Sequence, residues 1–188
     1  MSTHKRHQSI LRRDDAALLV IDYQQRIVDV MKNGPQVTSE IERLIQAMKI
    51  LEIPTLVTEQ YPKGLGPTLE SIAQQVGPQS ISQKMTFSCC GEATFWAQLE
   101  AAGRKQIIVT GIETHVCVLQ TVLDLLANGY QVHLPFGATC SRDDANRDNA
   151  VARMRDAGAV ISNIESVIFE LLIEAGTDDF KAARKLIV

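Results

Sequence analysis

The 188 residues carry a formal net charge of −3, with 45% hydrophobic and 22% charged residues, a balance that gives no basic excess to recruit nucleic acid or an acidic membrane. The length suits one domain with a sizeable core, and no apolar run approaches the ~20 residues of a membrane span. The four cysteines, Cys89, Cys90, Cys117 and Cys140, fit no zinc spacing, so reduced thiols in a cytoplasmic protein are the expectation.

Residues 1–14 are basic and lack the apolar segment of a secretory signal; they read as a flexible, solvated arm ahead of a single domain over residues 15–188. Ala16 to Ile21 is a buried strand closed by Asp22. Open α/β sheets place their ligands at that end of a strand, though a turn-capping aspartate is the alternative. Tyr23 to Met31 continues as a short helix. Pro35 opens a longer one through Leu51, with Val37, Ile41, Leu44, Ile45, Met48 and Leu51 on one stripe. Pro54 to Thr58 is the second strand and empties into a loop, Glu59 to Pro67, that is either a pocket wall or a rigid connector. Residues 68–76 are helical and Ile81 belongs to a short third strand. Lys84, ahead of Phe87, reads on its own as a surface lysine. Ala93 to Ala102 is a helix stopped by Gly103.

The stretch from Gln106 to Leu126 is the most informative. Ile107 to Thr110 is a β-branched strand, Gly111 breaks it, and an apolar helical pattern follows through Val116, Leu119, Val122, Leu123 and Leu126. Cys117 stands in the opening turn of that helix, where unpaired N–H groups favour a thiolate and supply donors for an oxyanion. A small buried cysteine is the other reading. Tyr130 to Pro135 is a fifth strand with His133 as a structural residue, and Gly137 to Arg142 is a loop. Asp143 to Ala157 is a helix, Ala159 to Ile161 a sixth strand, and residues 165–172 and 177–188 are helices.

Strands alternating with helices imply a Rossmann-like three-layer αβα sandwich around a mostly parallel six-stranded sheet. In that architecture Asp22, the loop after Thr58, Lys84 and the turn before Cys117 fall at one sheet edge. A carboxylate, an ammonium and a thiol in one cleft make a thiolate site with a proton acceptor beside it.

Through LLVIDYQ around Asp22, Lys84 in KMTFS and VTGIETHVCV around Cys117, the chain resembles the isochorismatase-like cysteine hydrolases. Through TEQYPKGLGPT, TVLDLL and ARMRDAGA it is also similar to the isochorismatase domain-containing proteins, and the likeness runs from about Ala16 to the C-terminal helix. The resemblance implies a triad of Asp22, Lys84 and Cys117. Asp22 moves the proton, Cys117 attacks a carbonyl to form a thioester, and Lys84 holds its two partners charged. With the helix N-terminus this sets the Cys117 pKa below the free value of about 8.5. It also implies a cis Ile112–Glu113 peptide, with the amides of Glu113 and Cys117 as oxyanion hole. Gln60 resembles a substrate-contacting glutamine, and Tyr61, Phe87 and His115 are further candidates for the same wall. Where nicotinamidases carry a metal-binding aspartate-and-histidine motif, this chain has Glu59-Gln60-Tyr61, and its histidines are His4, His7, His115 and His133. No metal and no other cofactor are therefore expected. True isochorismatases commonly lack the nucleophilic cysteine that this chain keeps. The implied activity is metal-independent cleavage of a C–N bond in a small amide. Its rivals are isochorismatase-type vinyl ether hydrolysis with Asp22 as general acid, and a non-catalytic binding or scaffold role. The expected partners are a small-molecule substrate and further copies of the chain in a homo-oligomer.

Overall fold

Six consecutive apolar residues, Ala16–Ile21, form strand β1, and all six are buried. A run of this kind suits a parallel strand covered on both faces. The computed structural model, which describes residues 6–187, pairs β1 on one side with β2 (Thr55–Gln60) and on the other with β4 (Gln106–Ile112). Strand β3 (Ile81–Lys84) extends the sheet beyond β2; β5 (Gln131–Phe136) and β7 (Val160–Asn163) extend it beyond β4. Every pairing is parallel. The sheet has seven strands rather than the expected six, because the two-residue β6 (Thr139–Cys140) pairs with the end of β4.

Alternation along the strands divides the core into two layers. Leu18, Val20 and Ile108 face one layer with Ile41, Leu44 and Met48 of α2 (Gly34–Ile50) and Val167 and Ile168 of α8 (Ile164–Leu172). Ala17, Leu19, Ile107 and Val109 face the other, with α5 (Ala93–Ala102), α6 (Leu119–Ala127) and α7 (Asp144–Asp156). This is the three-layer α/β sandwich, with the short helices α1 (Gln25–Val28), α3 (Pro62–Leu65) and α4 (Glu70–Val76) in the connections of its first half. Among the described residues no helix is long and apolar enough to cross a membrane.

Several boundaries differ from the sequence reading. Glu59 and Gln60 belong to β2 instead of a loop, since β3 pairs with them, Glu59 against Gln83 and Gln60 against Lys84. Gly111 does not end β4, which runs on to Ile112. The C-terminal helix is only α9 (Asp178–Ala183), followed by a 3-10 turn. The expected arm is, over residues 6–14, laid against the domain. Leu11 is fully buried, its N–H donates to the Glu170 carboxylate at 2.9 Å, and the Arg12 N–H donates to Gln106 Oε1 at 2.7 Å. One apolar anchor with satisfied backbone groups outweighs the basic composition that favoured solvation. Residues 1–5 of that arm lie outside the described residues.

Candidate active site

The site is assembled where the strands of one half-sheet end. Asp22 follows β1 directly with φ +50, a left-handed conformation that aspartate tolerates better than most residues. Gly111 makes that turn feasible. It pairs with Ile21 at φ +116, and a Cβ there would drive into the Ile21 backbone. Lys84 is the last residue of β3 and lies in register with Gln60, the last of β2. The parallel register thus brings a carboxylate, an ammonium and an amide to one edge.

Lys84 Nζ lies 2.7 Å from Asp22 Oδ2, and both side chains are buried. Lys84 Nζ also donates to Gln60 Oε1 at 2.6 Å, the Thr86 carbonyl at 3.0 Å and the Phe87 carbonyl at 2.9 Å. At 2.7 Å the ammonium and Oδ2 form a buried ion pair. Asp22 Oδ1 accepts from Thr58 Oγ1 at 2.8 Å. Burial pushes the Asp22 carboxyl above its ordinary value, although Lys84 pulls against it. Burial pulls Lys84 down, but Asp22 leads the influences that outweigh it and hold the ammonium above its usual range.

Cys117 lies in a π-helical turn, Thr114–Val118, immediately before α6. The Val116 and Val118 amides both turn back to the Glu113 carbonyl, at 3.1 and 3.3 Å. The Ile112–Glu113 peptide is cis. The thiol titrates opposite to expectation. Burial is the largest influence and pushes Cys117 well above a free thiol; Asp22 adds to this, and Lys84 opposes it without reversing it. The resting state is a neutral thiol beside a carboxylate–ammonium pair.

Cys117, Asp22 and Gln60 share a cavity of about 270 Å³ whose walls include Ile27, Leu65 and Val116. Phe87 is at its half-exposed mouth with Arg26 and Arg142. Of the candidates for this wall, Gln60 and Phe87 line it. The Gln60 side chain is already committed to Lys84 and, at 2.9 Å, to the Met85 carbonyl, so it holds the lysine before it meets any ligand. Tyr61 does not line this cavity: it adopts φ +38, covers Gly64 and borders a separate depression with Met85 and Glu92. His115 is absent from the lining as well; its Nδ1 is 2.9 Å from Ser141 Oγ. Glu113 reaches the cavity, with its carboxylate held by the Arg142 N–H at 3.0 Å and Nε at 3.1 Å. Those bonds outweigh its partial burial and keep it below the usual carboxylate range.

Glu59, the residue nearest a metal-motif position, is spent on Thr68, whose N–H and hydroxyl donate to Oε1 at 2.6 and 2.8 Å. Among the described residues no three His, Cys, Asp or Glu side chains are grouped to hold a metal. Sequence reasoning missed Thr58, Gln24, Arg26 and Arg142. Gln24 is buried and clamps the end of β2, accepting from the Gln60 N–H at 2.7 Å and donating to the Gln60 and Gly66 carbonyls at 3.0 and 2.5 Å. Its position two residues after Asp22 was the one available signal.

A profile of the isochorismatase domain matches residues 16–166. Isochorismatase domain-containing protein 2A of Mus musculus is 38% identical over 177 residues, covering 93% of this chain and 83% of its own length. Among solved structures, the MAR1 ribonuclease of Caenorhabditis elegans superposes with a TM-score of 0.89 at 37% identity, covering 95% of this chain and 92% of that one. YcaC from Pseudomonas aeruginosa, described with hexane-2,5-diol and covalent acrylamide, superposes with a TM-score of 0.88 at 26% identity over 97% and 93% of the two chains.

Proposed function

The chain belongs to the isochorismatase family of hydrolases, and from that premise we propose that it cleaves the C–N bond of a small amide through a thioester on Cys117, without a metal. The observation that carries this reading is the buried Asp22–Lys84 ion pair, 2.7 Å from Oδ2 to Nζ, whose carboxylate lines the same cavity as Cys117.

As a carbonyl carbon approaches Sγ, Asp22 takes the thiol proton and the S–C bond forms. A carboxyl raised by burial is a stronger proton acceptor, which suits this step. Lys84 keeps its charge throughout and stabilises whichever of its neighbours is anionic. The oxyanion is met by the amides of Glu113 and Cys117. Collapse breaks the C–N bond, and Asp22 returns its proton to the leaving amine. Water then gives a proton to Asp22 and its oxygen to the thioester carbon. The acid departs as Sγ leaves, and the proton on Asp22 returns to Cys117. The net reaction is amide plus water to acid plus amine. The P. aeruginosa relative carries covalent acrylamide, a small conjugate acceptor that takes up soft nucleophiles at its vinyl carbon. The C. elegans relative is named a ribonuclease; the net charge of −3 here and the apolar cavity walls do not favour a polyanion.

One observation favours a second reading. The raised Asp22 pKa also suits a general acid, as vinyl ether hydrolysis requires. The test is product release from a panel of small amides and one vinyl ether by wild type, Cys117→Ala and Asp22→Asn. Amide turnover abolished by either change supports the thioester route. Ether turnover that survives Cys117→Ala but not Asp22→Asn would replace it.

A further inference from the structure

The proton transfer described above uses one oxygen of Asp22, and a residue outside the Asp22–Lys84–Cys117 set selects which one. Thr58 sits in β2 in register with Ile21 and is buried. Its Oγ1 is 2.8 Å from Asp22 Oδ1 and 3.3 Å from the Asp22 N, and its carbonyl accepts that same N–H at 3.0 Å. An ionised carboxylate only accepts hydrogen bonds, so the hydroxyl proton points at Oδ1. The hydroxyl's lone pairs then face the Asp22 N–H and the Cys89 Sγ, 3.6 Å away. Cys89 is fully buried, and burial pushes its thiol up to about 11, so it remains an S–H and acts as the donor. With the Thr58 proton on Oδ1 the chain runs from Cys89 S–H to Thr58 O–H to Asp22 Oδ1, and the Cys89 side chain also meets Thr121.

We propose that Thr58 is a positioning residue whose hydroxyl fixes the plane of the Asp22 carboxylate, leaving Oδ2 alone to take the Cys117 proton, with the Cys89 thiol setting the hydroxyl's own orientation. This rests on the hydrolase reading of the same site. The ionisable groups facing Asp22 are Lys84 at the end of β3, Cys117 in the turn after β4, and Cys89 in the segment after β3. Thr58 is the neutral donor among them. Without its hydroxyl, Oδ1 becomes a buried acceptor with no donor, the charged carboxylate loses stabilisation, and either oxygen is free to rotate toward the thiol.

The experiment is a ¹³C-carboxyl NMR titration of Asp22, assigned with Asp22→Asn, in the full chain carrying Thr58→Val, Thr58→Ser or Cys89→Ala. Alongside it, kcat and KM are measured for an amide that the wild type turns over. Thr58→Val is expected to raise the Asp22 midpoint by about one pH unit and to lower kcat roughly ten- to a hundredfold with KM unchanged. Thr58→Ser restores both, and Cys89→Ala moves both in the same direction by less. Thr58→Ala reads the same loss if the valine variant does not fold. A valine or alanine variant whose midpoint overlays the wild type overturns the proposal, as does a serine variant that behaves like valine. A wild type that turns over no amide, with the midpoint still shifted by Thr58→Val, would instead remove the hydrolase reading while the titration establishes the Thr58–Asp22 orientation.

Discussion

Asp22 and His133 belong to the same sheet and are equally closed to water, each with no exposed surface, yet they are held in different ways. Asp22 sits just past the end of a strand, where a hydroxyl, an ammonium and loop carbonyls converge. His133 sits inside β5, between Ile108 of β4 and Val160 of β7, with neither ring nitrogen hydrogen-bonded among the described residues. Burial alone pulls its pKa down to about 4, so its ring is neutral. Strand ends supply partners that let a charge persist in the interior. Strand middles supply none, and the group there gives up its charge.

The largest expected effect tests the partnered side of this contrast. Asp22→Asn removes the proton acceptor and should lower kcat about 10²–10⁴-fold. Its cost in stability should be modest, because Lys84 keeps three oxygen acceptors. Lys84→Met should also abolish turnover, and it leaves the buried Asp22 without its counter-charge, costing about 3–5 kcal/mol at pH 7 in urea unfolding. Equal stability losses in the two variants would show that the carbonyl cage around Lys84 is unimportant.

Gly111→Ala comes next. The new Cβ would meet the Ile21 backbone at a positive φ, so a loss of about 3 kcal/mol or more is expected, with the turn carrying Asp22 displaced. Thermal unfolding and amide turnover report the two parts.

The unpartnered side is tested by pH. Above the ordinary histidine value of 6.5, His133 is neutral in both folded and unfolded chains. Between 6.5 and about 4 the unfolded chain takes up a proton that the folded one refuses, so stability falls as pH falls. The full window amounts to about 3 kcal/mol. His133→Leu should flatten the stability–pH curve by that amount between those limits. An unchanged curve would mean that the ring finds a partner. The smallest expected effect is that of a chelator. With Glu59 committed to Thr68, treatment with EDTA should leave amide turnover unchanged, and a loss restored by added zinc would contradict this.

Much of the contrast was legible in the sequence. Asp22, Lys84 and Cys117 stood out because polar residues closing or following apolar strands collect at one edge of a parallel sheet, and the buried stripe of α2 was readable from its period. What escaped notice depends on side-chain direction and solvent exclusion. Tyr61 is turned away by a positive φ that no local pattern announced, and His115 is engaged by Ser141, distant in sequence. Thr58 looked like any β-branched strand residue. The Cys117 titration was read with the wrong sign because charges can be counted along a chain, whereas burial, the larger influence here, belongs to the assembled core.

A thioester on Cys117 is caught by intact-protein mass spectrometry after rapid acid quench during amide turnover. A mass gain equal to the acyl group is expected, mapped to the Cys117 peptide, absent in Cys117→Ala and not accumulating in Asp22→Asn, which lacks the proton acceptor for attack. Steady turnover with no acyl mass on Cys117 at any quench time, undiminished in Cys117→Ala, would contradict the thioester route.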